Sequence, residues 1–117
     1  MSKRHYRLFL SDISESSKKI KEYVGNKSFE EFTSNPMLID ALIRNLEIIG
    51  EAVKNVPASV KAKHKQIDWK KIAGLRDILV HDYFGINFKI LWDIVQNKIP
   101  DLLMKIEEVL KAEKNTS

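Results

Sequence analysis

Asn35-Pro36-Met37-Leu38-Ile39-Asp40-Ala41-Leu42-Ile43-Arg44-Asn45-Leu46-Glu47-Ile48-Ile49-Gly50-Glu51-Ala52-Val53-Lys54-Asn55-Val56-Pro57 decides the fold class. An asparagine side chain accepts from the first unpaired amides of a helix, and proline suits the first helical position because its missing N–H has no partner there. Apolar residues then recur at helical spacing from Met37 until Pro57 stops the run. The stretch predicts one long, well-buried helix. Asn45 interrupts its apolar face and reads as a hydrogen-bonded core amide.

The same logic extends to both sides. Upstream, Leu10, Ile13, Ile20 and Val24 share a face opposite Lys18, Lys19, Lys21 and Glu22, which predicts a helix over residues 4–24 ended by Gly25-Asn26. Ser28, with Glu31 three residues on, opens a short helix to Ser34. Downstream, residues 58–67 hold Lys61, Lys63, His64 and Lys65 with little apolar content and read as a basic connection. Asp68 caps a helix from Trp69 to about Phe84, where Gly85 offers a stop. Asn87 caps another to Asn97, Pro100 starts a last one through Leu110, and the chain should fray from Lys111. The expected architecture is all-α, an antiparallel four-helix-type bundle with short extra helices: one domain over residues 1–112 and a disordered tail over 113–117.

Composition narrows the function classes. The 117 residues contain no cysteine, which excludes a disulfide framework and a thiolate zinc site and suits a reducing cytosol. No apolar run reaches the ~18–20 residues of a spanning helix, and Met1-Ser2-Lys3-Arg4-His5 leads into no signal-like stretch, so a cytoplasmic protein is expected. Twenty Lys and Arg against sixteen Asp and Glu give +4, a mild bias towards an anionic partner.

The Trp69–Phe84 segment breaks its own pattern. At ~100° per residue, Trp69, Ile72, Ala73, Leu79, Val80 and Phe84 share one arc, with Lys70, Asp77 and His81 at its edge or opposite. Arg76 falls in the middle of the apolar arc, and Tyr83, seven residues on, lies almost above it. A guanidinium keeps its charge, so it needs a carboxylate, a phosphate or water to offset desolvation. Two readings stay open: a structural ion pair with Glu47 or Glu51, or a shared cleft between two subunits where Arg76 holds an anion. His81 likewise either answers the helix dipole in a last turn or serves chemistry. Tyr83 is either an ordinary amphipathic residue near a helix end or a hydroxyl with a task. Arg76 and His81 are five residues apart, about 140° in projection, so one straight helix does not put them on one face. A two-fold axis would supply two histidines, a base and an acid, to one site.

Arg76-Asp77-Ile78-Leu79-Val80-His81-Asp82-Tyr83 reads as R-x4-H-x-Y with a polar residue directly after the arginine. It resembles the HEPN ribonucleases, and within them the HepT toxins of the MntA–HepT toxin–antitoxin systems. Arg44-Asn45-Leu46, Ile49-Gly50-Glu51-Ala52, Trp69, Trp92-Asp93-Ile94-Val95 and Ile99-Pro100 extend the likeness over roughly residues 5 to 110. The resemblance implies a homodimer whose facing motif helices form a metal-independent endoribonuclease cleft, with no cofactor. It gives Arg76 the scissile phosphate, His81 acid or base duty, and Asp77 the orientation of its neighbours. It also makes Tyr83 the residue to which a nucleotidyltransferase antitoxin, MntA-like, attaches AMP. Lys61, Lys63, Lys65, Lys70 and Lys71 precede the motif; they either contact RNA phosphates, with Lys65, Lys70 and Lys71 the leading candidates, or form a solvated basic loop. His5 and His64 have no partner at ligand spacing and are expected at the surface. The competing function is a non-catalytic helical module that docks onto a nucleotidyltransferase, with a purely structural dimer as a third.

Overall fold

The computed structural model describes residues 5–81 and 87–114, with side chains over 5–75 and 87–114. In chain order the helices are α1 (Tyr6–Val24), α2 (Phe29–Thr33), α3 (Pro36–Asn55), α4 (Ala58–Lys63), α5 (Trp69–His81), α6 (Phe88–Asp93) and α7 (Ile99–Lys114), with a π-helical turn over Ile94–Lys98 between the last two. No strand occurs among the described residues, and none of their helices is long and apolar enough to cross a membrane. The fold is an all-α bundle, as the periodicity predicts.

The start signals act as read. The Ser28–Glu31 capping box is complete in both directions, at 3.2 and 3.0 Å, and His5, a cap that the periodicity does not announce, accepts from the Arg7 amide at the head of α1. That exchange holds the Glu31 carboxyl below its usual range, chiefly through the Ser28 amide. Asn35 accepts from the Leu38 amide at 3.1 Å, so α3 begins at Pro36.

α1 packs against α3 and α7, and α3 packs against α5. The core gathers Leu10, Ile13, Ile20, Leu42, Leu46, Ile49, Val53, Ile99, Ile106 and Val109 from α1, α3 and α7. Each such side chain contributes roughly 1.5–3 kcal/mol on burial. Asn45 is buried and donates to the Ala41 carbonyl at 2.9 Å, the amide expected in the core.

The structure corrects the sequence reading in three places. Residues 58–67 are not merely a connection: α4 forms behind Pro57, and Val60 and Ile67 are buried. The lysines around them mask those two apolar anchors. His64 is buried, not superficial; its Nε2 lies 2.7 Å from Glu113 Oε2. Finally, α7 runs to Lys114 without fraying at Lys111, because Glu113, 2% exposed, is fixed from two sides. The Tyr6 hydroxyl donates to its other oxygen at 2.7 Å.

The helix expected from Pro100 is α7, which begins one residue earlier, at Ile99. The chain passes from α6 into α7 through the π turn, where the Ile99 amide donates back to the Ile94 carbonyl. A wider turn relieves the clash that the proline ring makes with the carbonyl four residues back, so the helical path stays continuous.

The Tyr6–Glu113–His64 clasp has a pH signature. The Tyr6 hydroxyl, and after it His64, hold the Glu113 carboxyl below its usual value of 4.5 against the opposing effect of burial. The same contact with Glu113 raises the Tyr6 phenol above 10.0. A lowered carboxyl adds stability above its unfolded value and loses it as pH falls through the folded one; a raised phenol loses it as pH rises past 10. Urea unfolding should therefore show stability falling below about pH 4.5 in wild type and more gently in Glu113→Gln, while Tyr6→Phe flattens the alkaline limb. Glu113→Leu should cost about 2–3 kcal/mol at neutral pH, because it strands buried donors.

Candidate ribonuclease site

α5 carries Arg76, Asp77 and His81 on one continuous helix, and its beginning is fixed more firmly than an isolated helix end. Asp68 accepts from the Lys71 amide at 3.1 Å. The Trp69 indole, 8% exposed, donates to the His64 carbonyl at 2.9 Å. The clasp around His64 thus sets where α5 starts and which way it turns.

The chain is equally fixed where it resumes after the motif. Asn87 accepts from the amides of Lys89 and Ile90 at 3.0 and 3.2 Å, which starts α6. Phe88 and Trp92 of α6 then meet Phe32 of α2, with ring centroids 6.2 and 4.9 Å apart, and Trp92 also meets Phe29 edge-on at 5.9 Å. Such contacts add about 0.5–1.5 kcal/mol per pair beyond burial.

The candidate residues are placed as follows. Arg76, Asp77 and His81 are in the backbone of α5, and their side chains are outside the described set, as is all of Tyr83. The Arg76 ion pair with Glu47 or Glu51 therefore also lies outside the described contacts. Glu47 and Glu51 line a surface cavity of about 320 Å³ between α1 and α3, together with Asp12 and Arg44. Phe84 and Gly85, expected to end the motif helix, lie beyond the described part of α5. Lys65 is exposed between α4 and α5, and Lys70 and Lys71 are exposed in the first turn of α5. His5 is exposed, as expected. Among the described residues, no group of three or more His, Asp and Glu side chains could hold a metal ion.

Sequence reasoning passed over Gly74. It stands inside α5, where glycine costs a helix about 0.8–1.0 kcal/mol relative to alanine. No described atom outside the helix backbone lies within 4 Å of the position its Cβ would take. The signal was a glycine two residues before the motif arginine, in a helix that otherwise contains none.

Residues 13–109 match the HepT-like family, described as "Ribonuclease HepT-like". The chain belongs to that family of ribonucleases. A protein of Methanocaldococcus jannaschii named "Putative RNase MJ0127" is 48% identical over 111 residues, covering 95% of this chain and 92% of its own. One of Caldanaerobacter subterraneus subsp. tengcongensis, "Putative RNase TTE0752", is 44% identical over 108 residues, covering 92% and 96%. A third, "Probable ribonuclease HepT" of Thermococcus cleftensis, is 41% identical over 109 residues, covering 93% and 99%. No solved structure matches this HepT-like chain.

The two caps that bracket the motif can be tested directly. Asp68→Ala should lower the unfolding free energy by about 1 kcal/mol. Amide exchange should quicken at Lys70 and Lys71 and stay unchanged in α1. Asn87→Ala should do the same to the first turn of α6.

Proposed function

We propose that this HepT-like protein is a metal-independent endoribonuclease toxin of a toxin–antitoxin module, a single domain working in the cytoplasm as a homodimer. The observation that carries this reading is the family match over residues 13–109, within which Arg76 and His81 share the anchored helix α5. The Arg76–His81 spacing supports the dimer. One helix presents the two residues on different sides, whereas two copies around a two-fold axis supply an arginine and a histidine from each chain to one groove.

In the proposed reaction, one His81 accepts the proton of the RNA 2′-hydroxyl as its oxygen bonds to phosphorus. The bond from phosphorus to the 5′ oxygen breaks, and the partner subunit's His81 protonates that leaving oxygen. The products are a 2′,3′-cyclic phosphate and a 5′-hydroxyl. Arg76 stabilises the charge that builds on the non-bridging oxygens, and Asp77 holds its neighbours in position. Lys65, Lys70 and Lys71 attract the phosphate backbone.

Regulation follows from Tyr83. An MntA-like nucleotidyltransferase transfers AMP from ATP to its hydroxyl and releases pyrophosphate. Tyr83 stands seven residues from Arg76, about 10 Å along a helix if α5 continues, so the added phosphate competes with RNA for the guanidinium.

Three variants test the proposal. Arg76→Ala and His81→Ala should each reduce cleavage at least a hundredfold while leaving the helical circular dichroism intact, and EDTA should leave wild-type cleavage unchanged. Activity that returns only with added divalent metal contradicts the mechanism. Tyr83→Phe should retain cleavage but escape silencing by the antitoxin with ATP and magnesium, and mass spectrometry should find AMP on wild type alone. Equal modification of both chains would remove Tyr83 from the regulatory role.

A further inference from the structure

One side of α5 is turned away from the core. Trp69 and Leu75 are buried, while Lys70 and Lys71 are exposed. At ~100° per residue, register positions 70, 71, 74, 77, 78 and 81 then fall on the outward side. In projection Gly74 lies between the two lysines, one turn further along. His81 follows seven residues later on nearly the same line, about 10 Å away.

Nothing within the described chain asks for glycine at 74. Gly25 is the described glycine with a positive φ, so the backbone at 74 suits any residue. The space for a Cβ is open, so packing among described residues does not exclude one. Gly74 is half-buried on this side, and a helix interior without a side chain there fits a close approach by another backbone or strand.

We infer that the substrate strand of RNA runs along this face, crossing the bare backbone at Gly74 between a phosphate held near Lys70 and Lys71 and the scissile phosphate at His81. The inference rests on the ribonuclease reading for the place of His81. The two exposed lysines at one end of the track match a phosphodiester strand, and Asp77, at register position 77 on the same side, confines the cationic contacts to that end. The span from Lys70 and Lys71 to His81 is about 15 Å along the axis, a length that a few nucleotides cover. A Cβ at 74 would lift the intervening sugar from the helix and loosen both phosphate contacts. Gly74 is thus a specificity-determining residue that sets the clearance for a single strand.

Substitution separates fold from function here, because alanine favours the helix. Gly74→Ala should raise the melting temperature by about 3–5 °C. It should also raise KM for a single-stranded RNA on the order of tenfold with kcat changed far less, and Gly74→Leu should raise KM further. Fluorescence anisotropy of labelled RNA on the His81→Ala background should show the same graded loss of affinity without cleavage. Lys70→Gln should weaken RNA binding and reduce its salt dependence. Unchanged KM and affinity in both Gly74 variants overturn the inference. A shift towards monomer in sedimentation, with RNA affinity per dimer unchanged, also overturns it and gives the face to a second copy. A wild type that cleaves nothing, with affinity still graded across the Gly74 variants, overturns the nuclease reading but supports the track; a wild type that binds no RNA overturns both.

Discussion

The Glu113 carboxylate, buried near the end of α7, is the contact on which the placement of the other elements depends. One oxygen accepts from Tyr6 at the start of α1 and the other from His64 between α4 and α5. A buried carboxylate without partners would be strongly unfavourable, so these two hydrogen bonds decide whether the last helix can close over the first. The hydrophobic contacts among α1, α3 and α7 supply most of the stabilisation, but they are non-directional. The clasp fixes which residues meet at this end of the bundle.

From there the constraint passes to the functional helix. The His64 carbonyl accepts from the Trp69 indole, and Asp68 next to it caps the first turn of α5. Helix α5 therefore leaves the clasp in a set direction, which places Arg76 and His81 relative to the core through backbone register alone. On the far side, Asn87 and the Phe32, Phe88 and Trp92 rings fix the return of the chain. The helix that carries Arg76 and His81 is thus fixed at its start by a cap and an indole hydrogen bond, which suits chemistry that depends on the position of an acid, a base and a cation.

What could be read from sequence was local. Ser28 with Glu31, Asn35 before Pro36, Asp68 and Asn87 each act on amides two or three residues away, and each caps the helix expected of it. His64 and Glu113 are 49 residues apart and Tyr6 and Glu113 are 107 apart, so no window along the chain could reveal the clasp. The lack of a partner at ligand spacing pointed His64 to the surface, and the place of Glu113 near the end of the sequence pointed to a fraying tail. Pro100 read as a helix start, and α7 begins one residue before it, but the π turn that joins it to α6 has no local sequence signature. Arg76, His81 and Tyr83 were legible as a spacing and a break in an apolar arc, whereas Gly74 became informative only once the space around it was known.

The chemistry proposed for this HepT-like protein turns on one hydroxyl. The most direct measurement uses a single-stranded RNA cleaved at one mapped bond and a matched strand in which only the nucleotide 5′ of that bond lacks its 2′-hydroxyl. Attack by that hydroxyl predicts that the substituted strand binds with unchanged affinity and stays intact at the mapped bond. Cleavage there at the wild-type rate would contradict it.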